Sequence, residues 1–251
     1  MDLWDALGLT HSEVIAAVGA GGKTSTLLTL AACARQREWP VILTATTKMY
    51  ARQAADFMPV IAQSYEAGAE QVRAALTQRL YGAWFSSAEG EKLTGLPPEW
   101  IDGFAASNPG TVLLVEADGA REKLLKIPAP HEPVIPVSTT ITVAVLNLRV
   151  LGLPLTGQFV HRLEKTCAFL GKKQGDSISL HDLALVASRS SGVFQYSVGK
   201  RTLVLTGGER EDVSKGREFV RLLQENGSPA SRCILTAGFG RGMEVLEVWD
   251  L

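Results

Sequence analysis

Gly19-Ala20-Gly21-Gly22-Lys23-Thr24-Ser25 stands between an apolar run, residues 14–18, and a stretch with apolar residues at helical spacing. Glycines let a turn take positive φ and bring bare backbone N–H groups against phosphate oxygens. A helix starting there adds the positive end of its dipole. Lys23 is expected to reach the β- and γ-phosphates, its ammonium facing phosphate and contributing little to the core. The hydroxyl of Thr24 or Ser25 would complete the shell of a bridging Mg²⁺. The longer spacing G-x-x-x-x-G-K-[ST] meets Ala17 where glycine is required, so the match is to Gly19-x-x-Gly22-Lys23-[Thr24/Ser25]. A glycine turn between any strand and any helix is the blander reading, and the strand-to-helix setting favours the phosphate loop.

A second constellation is Glu116-Ala117-Asp118-Gly119-Ala120, directly after the apolar run 111–115. Carboxylates at the end of a central parallel strand arrive on the edge that carries the glycine turn, where Glu116 and Asp118 can hold Mg²⁺ or position a water. Asp118-Gly119 could instead simply start a turn. Thr46, Thr47 and Lys48 close another strand on that edge and could meet a γ-phosphate or an anionic substrate, or serve as a cap beside a solvated lysine. Arg121, Lys123 and Lys126 add positive charge nearby. Of four histidines, His131 and His161 are the two worth watching, although loop histidines are commonly structural. There is no G-x-S-x-G elbow, and Cys167 has no local nucleophile signature, so side-chain nucleophilic hydrolysis has little support.

Strands and helices must alternate to position these groups. After the turn, Leu27, Leu28, Ala31 and Ala34 share a helical face, and residues 41–46 read as a buried strand. Residues 60–62 and 83–85 are strand-like, with Val72, Ala75, Leu76 and Leu80 on one helical face between them. The polar stretch 86–95 reads as a loop, Pro97 and Pro98 open a helix, and Asn108-Pro109-Gly110 stops it. Residues 111–115 lack polar alternation, as expected of a strand in mid-sheet. A strand from Thr140 follows the proline-rich link 128–136. Helices over 162–170 and 180–188, with no strand between them, suggest a small helical sub-lobe over 151–200. Strands at 202–206, 233–235 and 244–249, with a helix carrying Val213, Phe219, Val220 and Leu223, complete the pattern. The expectation is an α/β fold, a doubly wound, mostly parallel sheet of P-loop type with a small helical insertion, forming one domain over 1–251. Ligand is expected at the C-terminal strand ends.

Composition agrees with an ordinary globular domain. At 251 residues, with 46% hydrophobic and 20% charged, the chain can bury one large core. A net charge of −1 and a pI near 6.4 offer no global attraction to nucleic acid or anionic membrane. Three cysteines without a C-x-x-C pair suggest neither a disulfide framework nor a zinc knuckle. The first residues lack a basic region and a long apolar core, and no later segment would span a bilayer, so a cytoplasmic address is expected.

Taken together, Gly19 to Ser25, Thr46-Thr47-Lys48-Met49, Glu116 to Ala120, Leu125-Lys126-x-Pro128-Ala129-x-His131-Glu132-Pro133-Val134-Ile135-Pro136 and His161-Arg162 resemble the YqeC family. These are accessory proteins for selenium-dependent molybdenum hydroxylases. The resemblance runs through most of the chain in order and implies a partner in that maturation, either a molybdenum cofactor or the hydroxylase itself. The glycine turn alone is also similar to that of Mur-type amide ligases, which activate a carboxylate with ATP, but room for their further domains is lacking. Leu205-Thr206-Gly207-Gly208-Glu209 departs from the Asn-x-x-Asp-like element that reads the base in guanine-binding proteins, which argues against GTP.

The expected cofactors are therefore ATP, or another nucleoside triphosphate, and Mg²⁺. Gly19, Ala20, Gly21, Gly22, Lys23, Thr24 and Ser25 would hold the nucleotide. Thr24, Ser25, Glu116 and Asp118 would surround the metal, with Lys23, Glu116 and Asp118 in catalytic roles. Thr46, Thr47, Lys48, Lys126 and His131 would face the γ-phosphate or a second substrate. A P-loop NTPase or nucleotide-dependent transferase fits this set, the rivals being a small-molecule kinase or nucleotidyl transferase and a non-catalytic module that grips a phosphorylated cofactor.

Overall fold

The computed structural model describes residues 1–251. A short helix α1 (Leu3–Leu7) precedes β1 (Val14–Gly19), and the glycine turn leads into α2 (Lys23–Gln36). Next come β2 (Val41–Ala45), β3 (Lys48–Tyr50), the single turn α3 (Ala51–Ala54) and β4 (Pro59–Ile61). They are followed by α4 (Tyr65–Arg79), β5 (Tyr81–Phe85), β6 (Ser87–Glu89), β7 (Lys92–Thr94), α5 (Pro98–Ser107) and β8 (Val112–Glu116). The chain continues through β9 (Leu125–Lys126), β10 (Ile141–Asn147), β11 (Val160–His161), α6 (Leu163–Leu170) and α7 (Leu180–Ser188). The last elements are β12 (Lys200–Gly208), α8 (Val213–Asn226), β13 (Arg232–Ala237) and β14 (Glu244–Asp250).

Nine strands form one sheet in the order β14-β13-β12-β10-β1-β8-β2-β5-β4, and every neighbouring pair is parallel except β13 with β14. The central strands lack polar alternation because both faces are covered. On β1, Ile15 and Ala17 pack towards α1 and α2, whereas Ala16 and Val18 join the residues of α7 and α8 on the other side. Val14, Ile42, Leu113 and Val115 pack with α4 and α5 on that second side. The α/β, doubly wound, mostly parallel architecture is thus the one expected. No helix is long and apolar enough to cross a membrane.

Local sequence explains how the site is placed. On α2, Leu27, Leu30, Ala31 and Ala34 recur at helical spacing and are buried, each leucine contributing about 2 kcal/mol by leaving water. Glu38 turns the chain with φ 56°, and Trp39-Pro40 prevents the helix continuing into β2. The helices α6 and α7 lie where the sequence puts them, and Leu170, Leu183 and Val186 pack with Leu203 and Leu205 of β12.

Two local expectations are corrected. Residues 87–94 are a hairpin, not a loop: β6 and β7 pair antiparallel, and β7 pairs with β3, giving a three-stranded sheet. Leu80 does not share the buried face of Val72 and Leu76, because α4 ends at Arg79 and Leu80 caps it in a left-handed conformation, 40% exposed.

Candidate functional site

The glycine turn is shaped by the strands beside it. Gly19 has φ 96°, and a Cβ there would sit 2.3 Å from the Val145 carbonyl oxygen of β10, so only glycine fits. The Gly21 carbonyl accepts from Thr206 Oγ1 at 2.7 Å and from Asn147 Nδ2, which fixes the turn from the ends of β12 and β10. Its Gly19 N–H donates to Asp118 Oδ2 at 3.1 Å. The helix that follows leaves the first-turn amides of Lys23, Thr24 and Ser25 without intrahelical acceptors, and these three residues line a cleft.

Lys23 departs from the expectation that its ammonium adds little to the core. The residue is buried, Nζ donating to the Gly19 carbonyl at 2.8 Å and lying 3.1 Å from Asp118 Oδ1 and 3.9 Å from Glu116 Oε1. Burial opposes its charge, yet the fields of Asp118 and Glu116 prevail and raise its pKa. The reason is geometric: the first helical residue points back under the turn, where the end of β8 brings Glu116 and the residues just beyond it bring Asp118. These two carboxylates differ. Glu116 opens into the cleft and accepts the Thr24 hydroxyl at 2.7 Å, and Thr24 Oγ1 in turn accepts from Gln53 Nε2 at 3.2 Å. Burial lifts the Glu116 pKa above the usual carboxylate range, against the pull of Lys23 and Thr24. Asp118 lies below the turn, with Lys23 on one oxygen and the Gly19 amide and Lys126 on the other.

Lys126 is also beneath the floor and does not reach the cleft. Its Nζ is fully buried, donating to the Gly119 carbonyl at 2.7 Å and pairing with Asp118 at 3.0 Å and Glu132 at 2.8 Å. Glu132 takes a two-pronged contact from Arg162, at 2.8 and 3.0 Å. Although burial works against its charge, Arg162 and Lys126 bring the Glu132 pKa down to about 2. His161 lies opposite Lys126 across the β11–β9 pair and faces the cleft. Its pKa is lowered to about 4 by burial and by Arg162, Lys126 and Arg121, so it is uncharged at neutral pH.

The cleft, ≈ 790 Å³, falls within the usual range for ligand sites, and only three of its twenty lining residues are hydrophobic. Six lysines and arginines line it against three glutamates. Gly21, Gly22, Lys23, Thr24, Ser25, Thr47, Lys48 and Glu116 are brought together there. Thr46 is not among the lining residues, its hydroxyl donating to the Val134 carbonyl at 2.7 Å. His131 is exposed on the Pro128–Pro136 link, outside the lining, and the histidine of the cleft is His161. Gln53, Glu132 and Arg162 carry contacts that reading by residue type did not assign. Glu132 and Arg162 stood in motifs beside the histidines, whereas Gln53 carried no signal at all.

A glycine turn between a buried strand and a helix, with a hydroxyl and a carboxylate paired at its mouth, sits at the C-terminal edge of the mostly parallel sheet of a doubly wound α/β protein. The chain belongs to the YqeC family: the family model described as YqeC protein matches residues 15–164. The uncharacterized protein YqeC of Escherichia coli (strain K12) is 33% identical over 183 residues, covering 72% of this chain and 70% of that protein. Among solved structures, the cell division protein FtsY of Thermotoga maritima aligns with a TM-score of 0.40 at 16% identity, covering 95% of this chain and 65% of its own. Chloroplast FtsY of Physcomitrella patens gives 0.40 at 14% identity, covering 98% of this chain and 64% of its own. This chain therefore spans somewhat less than two thirds of those structures' lengths.

Proposed function

We propose that this protein binds a nucleoside triphosphate, ATP first among them, with Mg²⁺ at the glycine turn, and couples it to chemistry in the adjoining cleft. The observation that carries this reading is the 2.7 Å contact between the Thr24 hydroxyl and the Glu116 carboxylate at the mouth of the turn. Two hard oxygen donors, one from the first turn of a helix and one from the neighbouring central strand, suit a small divalent cation. A carboxyl whose burial raises its pKa gains most from a cation beside it. Bound Mg²⁺ would neutralise charge developing on the phosphates.

The chain's own groups have separable tasks. The amides of residues 21–25 and the helix end bind phosphate oxygens, and buried Lys23 supplies positive charge from below. Asp118 anchors the start of the turn by accepting the Gly19 amide. Gln53 donates to the Thr24 hydroxyl oxygen, and that hydroxyl donates its hydrogen bond to Glu116. Set within the family resemblance, the nucleotide serves the preparation or insertion of a molybdenum-containing cofactor in a selenium-dependent hydroxylase, in the cytoplasm.

Calorimetric titration with ATP, GTP, CTP and molybdopterin, each with and without Mg²⁺, tests this. ATP binding strengthened by Mg²⁺ is expected. No nucleotide binding under any condition would overturn the reading. Binding without turnover or transfer would favour the non-catalytic module over an enzyme.

A further inference from the structure

We propose that the turn Ala120–Lys123 holds a phosphate monoester as the second ligand of the cleft, with Arg121 as its principal contact. This rests on the nucleotide reading only in placing the ester beside a bound nucleotide.

The Lys123 N–H donates to the Ala120 carbonyl at 3.0 Å, and the two central residues, Arg121 and Glu122, have φ 49° and 59°. A closed turn with positive φ at both centres is type I′, a place for Asn and Gly. Two long, charged side chains there cost backbone strain, and strain of this kind is retained where a side chain must be aimed. Glu122 is held by Arg52 outside the turn. Arg121 lines the cleft.

Its freedom sets it apart. Of the other cations lining the cleft, Lys23, Lys48 and Arg162 are ion-paired, Lys92 lies over the Tyr50 ring and Lys123 donates to the Gln158 carbonyl. Arg121 has no such partner. A guanidinium presents planar donors that match an oxyanion. The excess of six cations over three glutamates favours a dianion over a single carboxylate. Neutral His161 adds a hydrogen-bonding group to the same cleft without competing charge.

The probe is glycerol 3-phosphate, titrated calorimetrically into the full chain with and without saturating Mg-ADP. The parent should bind it in both conditions. Arg121→Ala should weaken the ester about tenfold, the loss of one charge-assisted contact, with no matching loss for Mg-ADP. The double replacement Arg121→Asn with Glu122→Gly should raise the melting temperature by relieving the turn and still lose the ester, which a merely structural role for Arg121 would not produce. No binding by the parent, equal binding by parent and Arg121→Ala, displacement of the ester by Mg-ADP, or a fall in melting temperature for the Asn-Gly turn would each overturn the proposal. Ester bound through Arg121 by a protein that binds no nucleotide would leave it standing and remove the nucleotide reading instead.

Discussion

Lys23 Nζ lies 3.1 Å from Asp118 Oδ1, an ion pair enclosed beneath the glycine turn, while the other Asp118 oxygen accepts the Gly19 amide. One carboxylate therefore ties together the last residue of β1 and the first of α2. The turn is held in shape before any ligand arrives.

Removing one partner of such a pair strands the other. Asp118→Ala leaves Lys23 and Lys126 short of a counter-charge and should destabilise the protein by about 3–5 kcal/mol. Urea unfolding of parent, Asp118→Ala, Lys23→Met and the double variant would show this, the double losing much less than the two singles together. Additive losses would mean that the pair does not act as a unit.

Gly19→Ala should destabilise by about 2 kcal/mol or more, since the added Cβ meets the Val145 carbonyl oxygen at 2.3 Å and φ 96° disfavours any side chain. Gly119→Ala, with open space around it, is the control. Equal unfolding midpoints for the two variants would contradict the packing of the turn against β10.

His161 and Glu132 make stability fall on acidification. The His161 pKa drops from 6.5 to about 4 on folding, so the unfolded chain takes up its proton first, and stability present above pH 6.5 is lost as pH falls towards 4. Glu132, lowered from 4.5 to about 2, adds a second loss between those values. Unfolding midpoints at pH 7 and pH 4.5 should differ less for His161→Gln than for the parent. An identical difference would show that His161 is not held neutral.

Much of the fold was legible because parallel strands buried on both faces read as unbroken apolar runs, as residues 14–18, 41–45 and 112–115 do. The small sheet of β3, β6 and β7 was not. Its three-residue strands include exposed Lys48, Glu89 and Lys92, and nothing in their pattern separates them from a turn. That Glu116 meets the glycine turn follows from both standing at the C-terminal ends of apolar runs that read as neighbouring parallel strands. The exchange of His131 for His161 in the cleft was not legible, because it depends on β11 returning beside β9, a pairing of residues 160–161 with 125–126 that no local pattern signals. By residue type Asp118 is expected at the metal and Lys126 towards the γ-phosphate or a second substrate, but their burial against each other beneath the turn is set by the tertiary packing.

A cation at the turn would be met by Glu116 and Thr24 together. Titration of ATP into the parent and Glu116→Gln, each with Mg²⁺ and with EDTA, measures this without requiring turnover. The parent should bind ATP about tenfold or more tightly with Mg²⁺, and Glu116→Gln should lose most of that gain while keeping its metal-free affinity. Equal Mg²⁺ enhancement in both proteins, or ATP binding indifferent to Mg²⁺ in the parent, would contradict it.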